Sequence, residues 1–278
     1  MAYELDEVGS WTEIKLEIVR SYAAEYSKIM TSQEAKRTIK KHVYIDAFAG
    51  AGVHISKKKG DFIPGSPLNA LYLEHPFIEY HFIDLDGDKV GSLRENVGER
   101  KDVFIHQGDC NKVLLKDVFP RCRYEDFNKA LCLLDPYCLN VSWEILETAG
   151  SMKSIEVFYN FMIMDANMNV LWNNPNSVPE EQQKRMDYIW GDSTWKAAAY
   201  GKELGLFGDI DVKRGNKDIA EAFRKRLQEC AGFQFVPEPV PMRNSKGAVI
   251  YYLYFASPNK TANTIVSHIF SKYRNRAA

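Results

Sequence analysis

The stretch HVYIDAFAGAG, His42 to Gly52, reads as an apolar strand that runs into an acid and a glycine-rich turn. Val43 and Ile45 are β-branched and Tyr44 is aromatic, so the run favours a pleated, buried strand. Gly50 and Gly52 open backbone angles that a Cβ forbids, which lets the turn press its amides against a ligand. A dinucleotide-binding turn would read G-x-G-x-x-G, but its third position here is Ile55, and an acid, Asp46, stands four residues ahead of the first glycine. The pattern is D-x-F-x-G-x-G.

Outward from this strand, placed at 42–47, apolar or β-rich runs recur at 79–84, 103–107, 130–135 and 155–163, with helical patterns between most of them. That alternation predicts parallel βαβ units, an open sheet and ligands at the strand C-terminal ends. After a helix over about 217–230, FQFVPEPVPMRN and AVIYYLYFAS form two extended runs joined by Ser245-Lys246-Gly247, a hairpin signal. Ahead of the first strand, Trp11, Ile14, Leu16, Ile18, Val19, Tyr22, Tyr26 and Ile29 keep near-helical spacing, broken at Thr31-Ser32 before EAKRTIKK resumes, which predicts two helices. The chain therefore divides into a helical extension, 1–41, and an α/β domain, 42–278. Within the latter, a polar, Trp-bearing helical insertion at 171–215 suits a substrate cap, or equally a helix pair that buries Trp190 and Trp195 in a minor core.

With 278 residues, 45% of them hydrophobic, the chain can bury a full core. Charges nearly cancel, 36 Lys plus Arg against 37 Asp plus Glu, so no global field announces nucleic acid. Local basic runs at Lys57-Lys58-Lys59, Arg121 with Arg123, and Lys272 to Arg276 read first as solvated faces. Five cysteines without C-x-x-C spacing and six scattered histidines predict reduced thiols and no metal site. No apolar run approaches membrane-spanning length, and MAYELDEVGS lacks the features of a signal peptide, so a soluble cytoplasmic protein is expected.

The D-x-F-x-G-x-G turn and the terminal hairpin resemble class I methyltransferases that use S-adenosylmethionine (SAM). The resemblance implies a Rossmann-like, mostly parallel seven-stranded sheet whose last strand is antiparallel. It also implies cofactor contacts from Asp46, Phe48, Ala49, Gly50, Gly52, Asp84, Leu85, Asp109 and Cys110. In such sites Asp46 orders the glycine turn and faces the methionine end, Asp84 in EYHFIDLD accepts from the ribose hydroxyls, and Asp109 in HQGDC accepts from the adenine amine. Asp46 and Asp109 also have a bland reading as turn residues, and Asp86, the nearby competitor of Asp84, reads rather as the cap of the helix GDKVGSLREN. In LCLLDPYC, Asp135 and the carbonyl of Pro136 are placed to accept the hydrogens of an acceptor amine, with Tyr137 stacking on its ring. DPY resembles the D-P-P-Y signature of amino methyltransferases with one proline missing, and a plain strand-to-helix turn capped by Asn140 or Ser142 stays open.

The joint pattern of W-T-x-x-K-L (Trp11 to Leu16), YIDAFAGAG, PGSPLNAL (Pro64 to Leu71), HFIDLD and LLDPYC resembles the bacterial three-Cys-motif partner proteins, methyltransferase-like proteins encoded beside a partner with three cysteines. That family usually has glycine where this chain has Cys138, and the D-P-F-G form of the turn is also similar to tRNA guanine-N2 dimethyltransferases. The resemblance implies a three-cysteine protein partner and, for the enzyme reading, an RNA or DNA base as acceptor. In PGSP, Ser66 is expected to cap a helix that starts at Pro67, which leaves a loop from Gly52 to Ser66 over the cofactor mouth, as a lid or as plain surface. Two further readings stand beside the methyltransferase: a non-catalytic module bound to its partner, and a nicotinamide-linked oxidoreductase.

Overall fold

The computed structural model describes residues 7–57, 60–205 and 208–274. Its main sheet has seven strands: β1 (Lys41–Asp46), β2 (Glu79–Asp84), β3 (Val103–Gln107), β4 (Asn128–Leu134), β5 (Ile155–Phe161), β6 (Val240–Arg243) and β7 (Val249–Ala256). They lie in the order β6-β7-β5-β4-β1-β2-β3. β1 to β5 are mutually parallel where they pair, whereas β7 runs antiparallel to both β5 and β6. This is the strand order and the inserted antiparallel strand of the class I methyltransferase fold, as the sequence led us to expect. The terminal hairpin closes where expected, with Gly247 at φ 81°.

Central strands of a parallel sheet are covered on both faces, so β4 and β5 are buried along almost their whole length. Side chains alternate between two cores: Val43 and Ile45 face one, Tyr44 the other. The first core is closed by helices α4 (Trp143–Met152), α5 (Ile163–Asn169), α6 (Glu180–Trp190) and α7 (Asn216–Glu229) through residues such as Ile145, Ile163, Ile189 and Phe223. The second is closed by α1 (Ser10–Ala35), α2 (Ser66–Leu71), α3 (Gly87–Val97) and α8 (Lys260–Arg274), through residues such as Tyr22, Leu93 and Phe270.

Three local expectations are corrected. Among the described residues one helix, not two, precedes β1: α1 runs through Thr31 and Ser32 because Tyr22, Tyr26 and Met30 keep burying against the sheet, and packing outweighs weak helix propensity. The chain leaves it only at Arg37, with φ 59°. The stretch after Gly52 is not an open loop. Val53–Ser56 and Phe62–Pro64 pair antiparallel, and Glu7–Val8 pairs parallel with the former. Lys58 and Lys59 lie outside the described residues. Finally, α2 has Gly65 at its N-cap and Ser66 already inside it, with no side-chain cap, and Ser66 lies beside the Asp46 carboxyl, whose pKa it pulls down.

The stretch 171–215 combines α6 and a short helix, Trp195–Ala199, with a hairpin of Tyr200–Gly205 and Gly208–Lys213. Trp190 and Trp195 are buried in the first core. Among the described residues no helix is long and apolar enough to cross a membrane.

Candidate active site

At the C-terminal ends of β1 and β4 lies a cavity of ≈ 260 Å³, just below the usual range for ligand pockets. Phe48, Ala49 and Gly50 form one wall; Asp135, Pro136 and Tyr137 form the opposite one. Two turns some ninety residues apart in sequence meet here because β1 and β4 pair in parallel, Asp46 opposite Leu133, so both chain reversals occur at one edge. Larger hollows exist elsewhere, ≈ 630 Å³ beside the 200–213 hairpin and ≈ 480 Å³ beside Lys217 and Arg274. Neither is lined by the glycine turn or by DPY.

Asp46 lies behind Phe48 and Ser66, which line the cavity. It is fully buried; the Phe48 N–H donates to its Oδ1 at 3.2 Å, while Oδ2 has no partner. Burial pushes its pKa up to about 7, against the pull of the Ser66 and Phe48 hydrogen bonds, with the Asp135 charge pushing further up and Lys15 pulling down. Asp84 ends β2, where its two oxygens accept from the Gly50 N–H at 2.8 Å and the Asp86 N–H at 3.0 Å, so it braces the glycine turn. Asp86 caps α3 as expected, accepting from the Asp88 and Lys89 amides.

Asp109 caps the short helix Cys110–Val113 through the Asn111 N–H at 3.0 Å. Burial, with the Asp109 charge, pushes the Cys110 thiol up to about 12, so it is an unreactive wall. The ends of β2 and β3 are tied by a bond from the Gly108 N–H to the Asp84 carbonyl. Of the nine expected cofactor residues, Phe48, Ala49 and Gly50 line the cavity and Asp46 sits behind it. Asp84, exposed Leu85, Asp109 and Cys110 form a separate row along the neighbouring strand ends, joined to the cavity through the Asp84 bond to Gly50. Gly52 faces away: a Cβ there would lie 2.8 Å from Leu93.

The DPY turn is held from three sides. Lys15 of α1, only 6% exposed, forms an ion pair with Asp135 Oδ2, and the Asn160 side-chain amide donates to Oδ1. Asp165 accepts from the Leu139 N–H at 2.8 Å and pairs with Arg185 of α6 at 2.7 Å, fixing the stretch just after Tyr137. Asn111 bridges the Asn140 carbonyl and the Ser142 N–H, while Ser142 makes no side-chain cap to α4. Tyr137 lines the cavity yet is 66% exposed, with the Lys89 ammonium 5.3 Å from its ring centre. Lys15, Asn160, Ser66 and Asp165 escaped the sequence reading of the site. Asn160 had a usable signal, a lone amide near the C-terminal end of an apolar strand; Lys15 stood in W-T-x-x-K-L without an assigned task.

The residues present fit the cofactor that the resemblance implies. Beyond Gly50, at φ 61°, an added Cβ would meet nothing within 4 Å, so the turn opens onto free space. The unpartnered Asp46 Oδ2 is the kind of buried acceptor that a ligand ammonium satisfies. Among the described residues no group of His, Cys, Asp and Glu side chains could hold a metal ion.

No family model and no curated protein matches this chain, so its likeness to the three-Cys-motif partners rests on the motifs quoted above. Several solved structures are similar in fold. A protein of Legionella pneumophila str. Philadelphia 1 aligns over 95% of this chain and 94% of its own at 10% identity, TM-score 0.47. S-adenosylmethionine-dependent methyltransferases of Clostridium acetobutylicum and Mesorhizobium loti align over 83% and 77% of this chain and 89% of their own, each at 10% identity, with TM-scores of 0.37 and 0.36. Likeness this distant carries no weight for activity.

Proposed function

We propose that this chain is a SAM-dependent methyltransferase whose acceptor is an amino nitrogen held at the DPY turn, with a nucleic-acid base as the leading acceptor class. The observation that carries this reading is that the glycine turn, Phe48 to Gly50, and Asp135 to Tyr137 line one cavity at the strand C-terminal ends. SAM supplies a methyl group on a sulfonium, transferred by direct displacement, so the protein's task is chiefly alignment. Gly50, backed by Asp84, and Asp46 with its free oxygen would hold the cofactor's amino-acid end, while Asp84, Leu85 and Asp109 flank its nucleoside. Lys15 and Asn160 fix the Asp135 carboxylate, which keeps lone pairs for an acceptor N–H beside the Pro136 carbonyl. Tyr137 offers an exposed ring to stack on, worth about 1–3 kcal/mol for a base. A base in a duplex would have to be flipped out to reach this depth.

The test is methyl transfer from methyl-labelled SAM to RNA, DNA and amine pools by the wild type and by Asp135→Ala. Loss of transfer with SAM affinity kept within a few-fold supports the assignment. Equal loss of both moves Asp135 to the cofactor side. A three-cysteine protein partner belongs to this reading through the motifs alone; co-purification without transfer to any pool would favour the non-catalytic module.

A further inference from the structure

Tyr251 lines the same cavity, yet neither the glycine turn nor DPY accounts for it. It is 4% exposed, and its hydroxyl has no hydrogen-bond partner. A buried hydroxyl without a partner costs about 1–3 kcal/mol, so folds retain few without a use. Its position follows from the topology: β7 runs antiparallel to β5, Tyr252 pairs with Phe161, and Tyr251 therefore sits at the sheet edge where β5 ends.

The neighbouring groups narrow what the hydroxyl meets. Asp135 already carries one protein donor on each oxygen, Lys15 on Oδ2 and Asn160 on Oδ1. Asn160 must turn its N–H to that carboxylate, since the opposite orientation would set two acceptors face to face, and its own Oδ1 is left buried without a partner. Acceptor atoms thus dominate this end of the cavity: Asp135, the Pro136 carbonyl, and Asn160 Oδ1 behind them. A ligand group set directly against Asp135 and the Pro136 carbonyl has to bring N–H donors.

We propose that Tyr251 is a specificity residue of the acceptor subsite: Asp135 accepts one of the two hydrogens of a primary amine, and the Tyr251 hydroxyl shares the other with the Pro136 carbonyl, leaving the nitrogen lone pair free. Asn160 acts through Asp135, as a positioning residue. The inference rests on the methyltransferase reading and adds to it a group from the far end of the chain.

Two cofactor analogues separate this claim from the reading beneath it. S-adenosylhomocysteine lacks the transferred methyl, and sinefungin carries an amine where that methyl stands, so only sinefungin presents N–H groups to the acceptor side. Calorimetric titration of the wild type should show sinefungin binding at least about tenfold tighter, the equivalent of one hydrogen bond. Tyr251→Phe should erase most of that margin while S-adenosylhomocysteine affinity stays within about twofold. The variant keeps the ring and removes an atom with no partner, so its melting temperature should not fall. A margin unchanged in Tyr251→Phe, a margin absent from the wild type, or equal loss of both ligands overturns the assignment. Failure of both ligands to bind folded wild type instead removes the cofactor reading itself, and this inference with it.

Discussion

Replacing Lys15 by methionine deletes an ammonium while keeping most of the side-chain volume, and it strands Asp135. The two side chains are 7% and 23% exposed, so solvent screens them only partly. Removing one partner of a buried pair costs about 3–5 kcal/mol, because the remaining charge is left without its counter-ion. Asp135 is the more exposed partner and keeps the Asn160 N–H, which places the expected loss at the low end, about 3 kcal/mol. Against a total stability of about 5–15 kcal/mol for a folded domain, that is a large fraction. Adding Asp135→Asn to the Lys15→Met background removes the stranded charge and should restore about 2 kcal/mol, a coupling that separate sites would not show. Urea unfolding followed by tryptophan fluorescence near pH 7, with midpoints and slopes compared across the four proteins, reads both quantities. A single variant within about 0.5 kcal/mol of the parent, or a double variant no more stable than the single, would refute the pairing of α1 with the DPY turn.

Gly50→Ala should cost the fold only about 1–2 kcal/mol for a left-handed backbone, since its Cβ meets no neighbour, but should weaken S-adenosylhomocysteine at least about tenfold. Thermal melts beside calorimetry check this, and unchanged affinity would count against the turn as a ligand cradle. The Asp46 carboxyl has its pKa raised from 3.8 to about 7, so the fold holds its proton more tightly than the unfolded chain does. Its contribution is therefore complete below about pH 4 and is lost as pH rises through 7, by up to about 4 kcal/mol. Glu156, pushed to about 7 mainly by burial, acts in the same direction. Urea midpoints from pH 5 to 8 should fall more gently in Asp46→Asn than in the parent; identical slopes would contradict the assignment. Because a ligand ammonium favours ionised Asp46, affinity for S-adenosylhomocysteine should weaken from pH 8 to pH 6, and a flat profile would detach Asp46 from the ligand.

What was legible in the chain was whatever depends on local pattern. The five parallel strands and the Asp86 cap each follow from a run of apolar residues or a single turn residue and fall within two residues of their expected places; the hairpin turns where expected, but its first strand is only Val240–Arg243 of the extended run expected over 233–244. The continuity of α1 through Thr31-Ser32 was not legible, since burial of Tyr26 and Met30 against a sheet formed later in the chain decides it. The strands at 53–56 and 62–64 are short, and one of them pairs with residues 7–8, a contact that no local spacing encodes. In the candidate site the two turns could be read, because each carries its own motif. Lys15 and Asp135 are 120 residues apart, and Tyr251 reaches the cavity only because β7 reverses beside β5, so their roles appear only once topology is known.

The most direct measurement is calorimetric titration of S-adenosylhomocysteine into the wild-type protein at pH 7.5, with the fold verified on the same sample by circular dichroism. A cavity formed by the Phe48 to Gly50 turn and backed by the free oxygen of Asp46 predicts saturable heat with one ligand per chain. Intact folded protein that gives no heat, at concentrations where millimolar binding would register, contradicts it.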